Sequence, residues 1–246
     1  MSLPQRIWTL GFMLLAGCSG NGILASNLIL PASGVDLENA RLLAQCLTGD
    51  IRAPDRLADE IVGELAAIQF TYGHRYPHIL GIQMHPPLGT AIEVAFDEES
   101  HRKALEGSYE AWDDLNREYG ATLVKIYPNQ PYAYLEFEEA LNLCSLSLLY
   151  KNLPGVIDAY NLLEPGEYPT IYIRTDGAYR EYLYFYGEVD CLAGCIYEEY
   201  YYFKFNGHAG IPQLAGIFTT TDGSIPDWWS EVHNSFFESH QCPVPD

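Results

Sequence analysis

Basic residues are scarce in this chain: 13 Lys and Arg stand against 33 Asp and Glu in 246 residues, a formal net charge of −20. So few cations cannot neutralise a phosphate backbone, which excludes nucleic-acid binding as a function class. Polybasic docking on anionic lipid is excluded on the same ground. Long apolar runs are lacking too. The stretch from Ile7 to Leu15 is far shorter than the roughly 20 residues a spanning helix needs. The usual catalytic strings G-x-S-x-G, H-E-x-x-H, G-x-x-x-x-G-K-[ST], the EF-hand loop and G-x-G-x-x-G do not occur. No cofactor is predicted, and the chain is expected not to be an enzyme. What is present is a folding sequence. Hydrophobic residues make up 48% and Gly and Pro are at ordinary levels, so the chain is neither disordered nor collagenous. Its length supports one large domain or two small ones without help from metals or disulfides.

Arg6 is the only charge before Asp36, and it precedes the apolar run and then Ala16 and Gly17. That is the plan of a secretory signal. Leu15-Ala16-Gly17-Cys18 resembles the lipobox of bacterial lipoprotein precursors. The resemblance implies cleavage before Cys18 and acylation of that residue, palmitate included. An ordinary signal peptide with an incidental Cys is the alternative. Several acyl chains make a stable anchor, at about 0.8 kcal/mol per buried CH₂. The expected partner of the N-terminus is therefore the membrane. The expected location is the cell envelope, outside the cytoplasmic membrane; Ser19 resembles the outer-membrane-retained class of a diderm host. Residues 1–17 read as signal peptide and 18–34 as tether.

Beyond Cys18 remain Cys46, Cys144, Cys191, Cys195 and Cys242, in a compartment where disulfides persist. Five is odd. Cys144 shares an apolar helical stripe with Leu141 and Leu148 and is expected to be the free thiol. Cys191 and Cys195 bracket a short loop and are expected to pair locally, leaving Cys46 to pair with Cys242. A metal or redox role for Cys191 and Cys195 is weaker, because C-x₃-C is neither a zinc knuckle nor a thioredoxin motif.

Residues 35–90 read as helical. One helix starts at Ser33 or Asp36 and runs to Leu47; another is capped by Asp55, with Leu57, Ile61, Leu65, Ile68 and Tyr72 at helical spacing. From Ala91 the elements alternate: a strand to Phe96; a helix capped by Asp97 with Leu105, Trp112, Leu115 and Tyr119 on one face; strands Ala121–Tyr127 and Tyr132–Glu138; a helix Ala140–Asn152; and a strand Val156–Tyr160. This β-α-β-β-α-β order over 91–162 is the ferredoxin-like pattern. The stretch Leu146 to Asn161, with Leu-Pro-Gly-Val between helix and strand, resembles the propeptide (inhibitor I9-like) domain of subtilisin-like proteases. That implies a chaperone or inhibitor of a protease. No catalytic domain follows, and more sheet replaces the family's terminal inhibitory peptide.

Residues 163–246 are dense in β-formers. Asp176-Gly177 and Asn206-Gly207 each mark a hairpin, and Asp227 starts a short helix carrying Trp229, Val232 and Phe236. The fold class is α+β: N-terminal helices, a ferredoxin-like unit and a C-terminal antiparallel sheet. Tyr182, Tyr184, Tyr186, Tyr200 and Tyr202 crowd the last strands and are the candidate binding residues for an envelope protein or peptide partner. The competing view is a half-solvated sheet face whose hydroxyls reach water. Ser100-His101-Arg102-Lys103 fits S-x-x-K as a string, but S-D-N and K-T-G are missing and Ser100 sits in a helix first turn. His74, His78 and His85 read as surface or packing histidines, since Gly73 and Pro77 break the helix that would align them. A carboxylate-dependent hydrolase is the remaining alternative.

Overall fold

The computed structural model describes residues 34–83, 91–162, 169–188, 197–206, 210–221 and 223–240. The lipobox, the tether up to residue 33, His85, Cys191, Cys195 and Cys242 lie outside the described residues; Gly34, expected in the tether, begins the first helix. The architecture is α+β, with two four-stranded antiparallel sheets.

Helices α1 (Gly34–Thr48) and α2 (Asp55–Tyr72) are followed by a 3₁₀ turn, Pro77–Leu80. Pro54 occupies the N-cap of α2 and makes no side-chain cap bond, so Asp55 lies inside the first turn instead of capping it. There its charge still favours the positive helix end.

The first sheet is built by β1 (Ala91–Phe96), β2 (Ala121–Ile126), β3 (Tyr132–Phe137) and β4 (Val156–Leu162), with α3 (Glu98–Leu105), α4 (Asp113–Tyr119) and α5 (Leu143–Lys151) between them. The strand order β2-β3-β1-β4 is the ferredoxin-like arrangement. Asp97 caps α3 by accepting the Ser100 N–H at 2.7 Å, and Asn142 caps α5 by accepting the Ser145 N–H at 3.1 Å. The single helix expected after Asp97 is two. Gly107, at φ 71°, ends α3 in the left-handed region, and the Ser108 N–H closes back on the Lys103 carbonyl at 2.8 Å. The break turns Leu105 outward, 45% exposed, while Trp112 stays in the core with Ile92, Val94, Phe96, Leu135 and Tyr150.

The second sheet is a meander of β5 (Thr170–Asp176), β6 (Tyr179–Glu188), β7 (Tyr197–Asn206) and β8 (Gln213–Thr219). Gly177 adopts φ 58° in the β5–β6 turn. One face of this sheet carries Ile171, Ile173, Tyr182, Tyr184, Tyr201, Phe203 and Phe205, in a single apolar cluster with Leu43, Ile61, Leu65 and Ile68 of α1 and α2. Residues 35–83 thus share their core with the C-terminal sheet, across the whole β1–β4 unit in sequence. The Tyr72 hydroxyl clips α2 to β8, donating to the Pro212 carbonyl and accepting the Leu214 N–H, each at 3.1 Å. The opposite face, with Leu183, Phe185, Tyr200, Tyr202 and Phe218, is covered by Val232 and Phe236 of α6 (Trp229–His240) and by Trp228 and Trp229.

Candidate binding face

The five tyrosines expected to form a binding patch do not form one. Strand alternation sends Tyr182, Tyr184 and Tyr186 to the α2 side of the second sheet and Tyr200 and Tyr202 to the α6 side. Helices cover both sides. Tyr182 and Tyr184 are 0% exposed, Tyr200 5% and Tyr202 3%. Tyr186 is half-buried; its ring packs at a tilt of 40° against His78 and its hydroxyl donates to Glu188 Oε1 at 2.5 Å. Two-sided burial explains why β6 and β7 read as nearly continuous aromatic runs, not as an alternation of apolar and polar residues.

Two ionic clusters back this sheet. On the α2 side, Arg180 donates to Glu64 Oε1 at 3.0 Å and to Glu60 Oε2 at 3.3 Å, and the Tyr182 hydroxyl donates to Glu64. Burial first, and then the Glu64 charge, push the Tyr182 pKa well above its ordinary value. On the α6 side, fully buried Glu181 lies 2.6 Å from Arg174 Nε and 2.8 Å from Lys204 Nζ. Burial raises the Glu181 pKa, but the hydrogen bonds from Lys204, Tyr202 and Arg174 together outweigh it, and the carboxyl titrates below its ordinary range. These charges are paired with each other inside the fold, as buried charges must be.

An open aromatic face lies instead on the first sheet. Helices α3, α4 and α5 pack on the side bearing Ile92, Val94, Ala133, Leu135 and Ala159. The reverse side presents Glu93 and Ala95 of β1, Tyr132, Tyr134 and Glu136 of β3, Tyr160 of β4, and Leu123 and Lys125 of the edge strand β2, all half-buried or exposed. Register aligns one row across all four strands: Lys125 opposite Tyr134, Tyr134 opposite Glu93, and Glu93 opposite Tyr160. The Tyr134 hydroxyl donates to Glu136 Oε1 at 2.7 Å and the Tyr160 hydroxyl donates to Glu93 Oε1. Those carboxylate hydrogen bonds, with some desolvation, push both phenols up to about 12. Tyr160 is 41% exposed and Leu123 42%. The Tyr134/Glu136 alternation was visible in the sequence; its side of the sheet and its alignment with Tyr160 were not.

The remaining expectations resolve locally. Cys46 is a free thiol, lodged against the apolar cluster of α1 and α2, and burial pushes its pKa up to about 12. It is therefore not the partner of Cys242. Cys144, expected free, is disulfide-bonded. Ser100 and Lys103 line a cleft of about 370 Å³, but the Lys103 ammonium sits 2.7 Å from Glu99 and Ser100 packs against Gly155, so no free amine faces the hydroxyl. No group of three or more His, Cys, Asp or Glu among the described residues is placed to hold a metal. A polar cleft of about 570 Å³ separates α1 from the β3–α5 loop, where Arg52 meets Glu139 at 3.0 Å. Comparison with protein-family models, curated proteins and solved structures finds no match for this chain.

Proposed function

We propose that the chain is a non-enzymatic binding module of the cell envelope, tethered through acyl chains on Cys18, that docks a protein partner on the open face of the β1–β4 sheet. The observation that carries this reading is the row Lys125, Tyr134, Glu93 and Tyr160, a partly exposed aromatic and ionic stripe on the side away from α3, α4 and α5. Tyrosines of this kind supply large, rigid, amphipathic contact area at interfaces. Among the described residues no helix is long and apolar enough to cross a membrane.

The test is photo-crosslinking in the native envelope, with a benzophenone amino acid placed at position 134 on the open face or at position 110 on the helix side. Adducts formed at 134 and missing at 110 are expected. Equal yields at both positions would sink the reading.

The β2-β3-β1-β4 topology and the Leu153-Pro154-Gly155-Val156 turn support a second reading, inhibition or chaperoning of an extracytoplasmic serine protease. It requires that the purified chain slow a subtilisin-like protease in trans. The hydrolase reading is less well supported. Asp97, Glu99 and Glu181 each titrate below the ordinary carboxylate range, whereas a general acid needs a carboxyl that titrates above it.

A further inference from the structure

We propose that the partner presents an arginine, whose guanidinium seats over Glu93 between the rings of Tyr134 and Tyr160. The inference rests on the open face being the binding face, and it names what that face reads.

Glu93 is flanked across the sheet by Tyr134 on β3 and by Tyr160 on β4. Neighbouring strands are about 4.8 Å apart, so the two aromatic residues stand on strands roughly 10 Å apart with the carboxylate between them. Along β1 the same side carries half-buried Ala95 and fully buried Ala91 beside Glu93. The Ala95 methyl and the phenol rings on both flanks leave a short trough centred on Glu93, with Glu136 opposite Ala91 and Asp158 opposite Ala95 adding negative charge at its ends.

A cation fits this trough on three counts. The carboxylate has accepting capacity left after Oε1 accepts the hydrogen bond from the Tyr160 hydroxyl. The rings attract a cation through their faces. The whole molecule carries −20, which draws in a basic surface and repels a second copy of itself. Arginine fits better than lysine because its guanidinium is planar, stacks on rings, donates in a fork to a carboxylate and gives up its water more readily. Leu123 and Tyr132 beside the row provide contact area for the surface that presents the arginine, so a basic protein segment is a better occupant than a free amino acid.

The full chain would be titrated with three blocked hexapeptides of alternating glycine and arginine, lysine or citrulline, following backbone amides by NMR. Expected results are shifts centred on residues 93, 134 and 160 with the arginine peptide, binding about threefold weaker with lysine, and binding weaker by tenfold or more with citrulline. Glu93→Gln should weaken the arginine peptide about tenfold, the scale of one charge-assisted hydrogen bond. Glu110→Gln removes the same charge from the helix side and should change binding by less than twofold. If Glu93→Gln fails to fold, Tyr134→Leu serves in its place.

Equal losses in Glu93→Gln and Glu110→Gln would show attraction to the overall field and overturn the proposal, as would equal binding of citrulline. Crosslinking at position 134 that the arginine peptide does not compete would leave the binding face standing and remove the arginine. No shifts on this face and no adduct at 134 would remove both.

Discussion

At the scale of single residues, the structure separates positions that pack from positions that can act. Gly155 belongs to the first kind: its φ is 79° and a Cβ would stand 1.8 Å from Ser100 Oγ. The Leu-Pro-Gly-Val signature is thus a packing requirement where the α5–β4 turn meets the start of α3, with the Asp97 N–H bonded to the Gly155 carbonyl at 2.9 Å. Gly155→Ala should cost about 1–3 kcal/mol, read as a lower urea midpoint, through backbone strain and the clash with Ser100. Cys46 belongs to the same kind. Half-buried against the α1–α2 cluster and with its thiol pushed up to about 12, it should react far more slowly with Ellman's reagent at pH 8 than after denaturant is added. Rapid native-state reaction would contradict the packing described. Sequence spacing could not assign these cysteines, because helical stripes for Cys46 and Cys144 look alike. Which thiol meets a partner is decided by what packs on each stripe.

At the scale of elements, β6 carries the most weight. Arg180 and Tyr182 point to Glu64 on one side, Glu181 points to Arg174 and Lys204 on the other, and the strand is held between α2 and α6. Glu64→Leu leaves Arg180 without its closest carboxylate and should cost about 3–5 kcal/mol, visible as a large fall in Tm. Phenols give the pH signature. Tyr134, Tyr160 and Tyr186 titrate near 12 in the fold against 10 unfolded. Between these values the native state holds protons that the unfolded state has released, so stability is complete below pH 10 and falls as pH rises toward 12. Absorbance at 295 nm alongside urea midpoints measured from pH 9 to 12 checks this; a flat midpoint would contradict it. Strand and hairpin positions were legible because alternation and Asp-Gly turns are local signals. The split into α3 and α4 is also written in the chain, at Gly107, but the apolar spacing of Trp112, Leu115 and Tyr119 continues across that glycine and masks it.

At the scale of the whole molecule, two sheets with helices divide the work. The second sheet is closed on both sides, and the first is closed on one and open on the other. If Cys18 is the anchor, Cys18→Ser should move the protein from the membrane fraction to the soluble fraction; unchanged acyl labelling in that variant would refute lipidation at this residue. What the sequence determined by itself was composition and local order: the acidic charge, the α+β class and the βαββαβ succession, because turn residues, caps and periodicity act within a few positions of each other. The tertiary structure alone decided which tyrosines meet water. Tyr182, Tyr184, Tyr200 and Tyr202 vanish under α2 and α6, while Tyr134 and Tyr160, 26 positions apart in the chain, align on either side of Glu93. Exposure depends on which helix lies over a face, and that is settled by contacts distant in sequence, such as those of α1 and α2 with β5–β7.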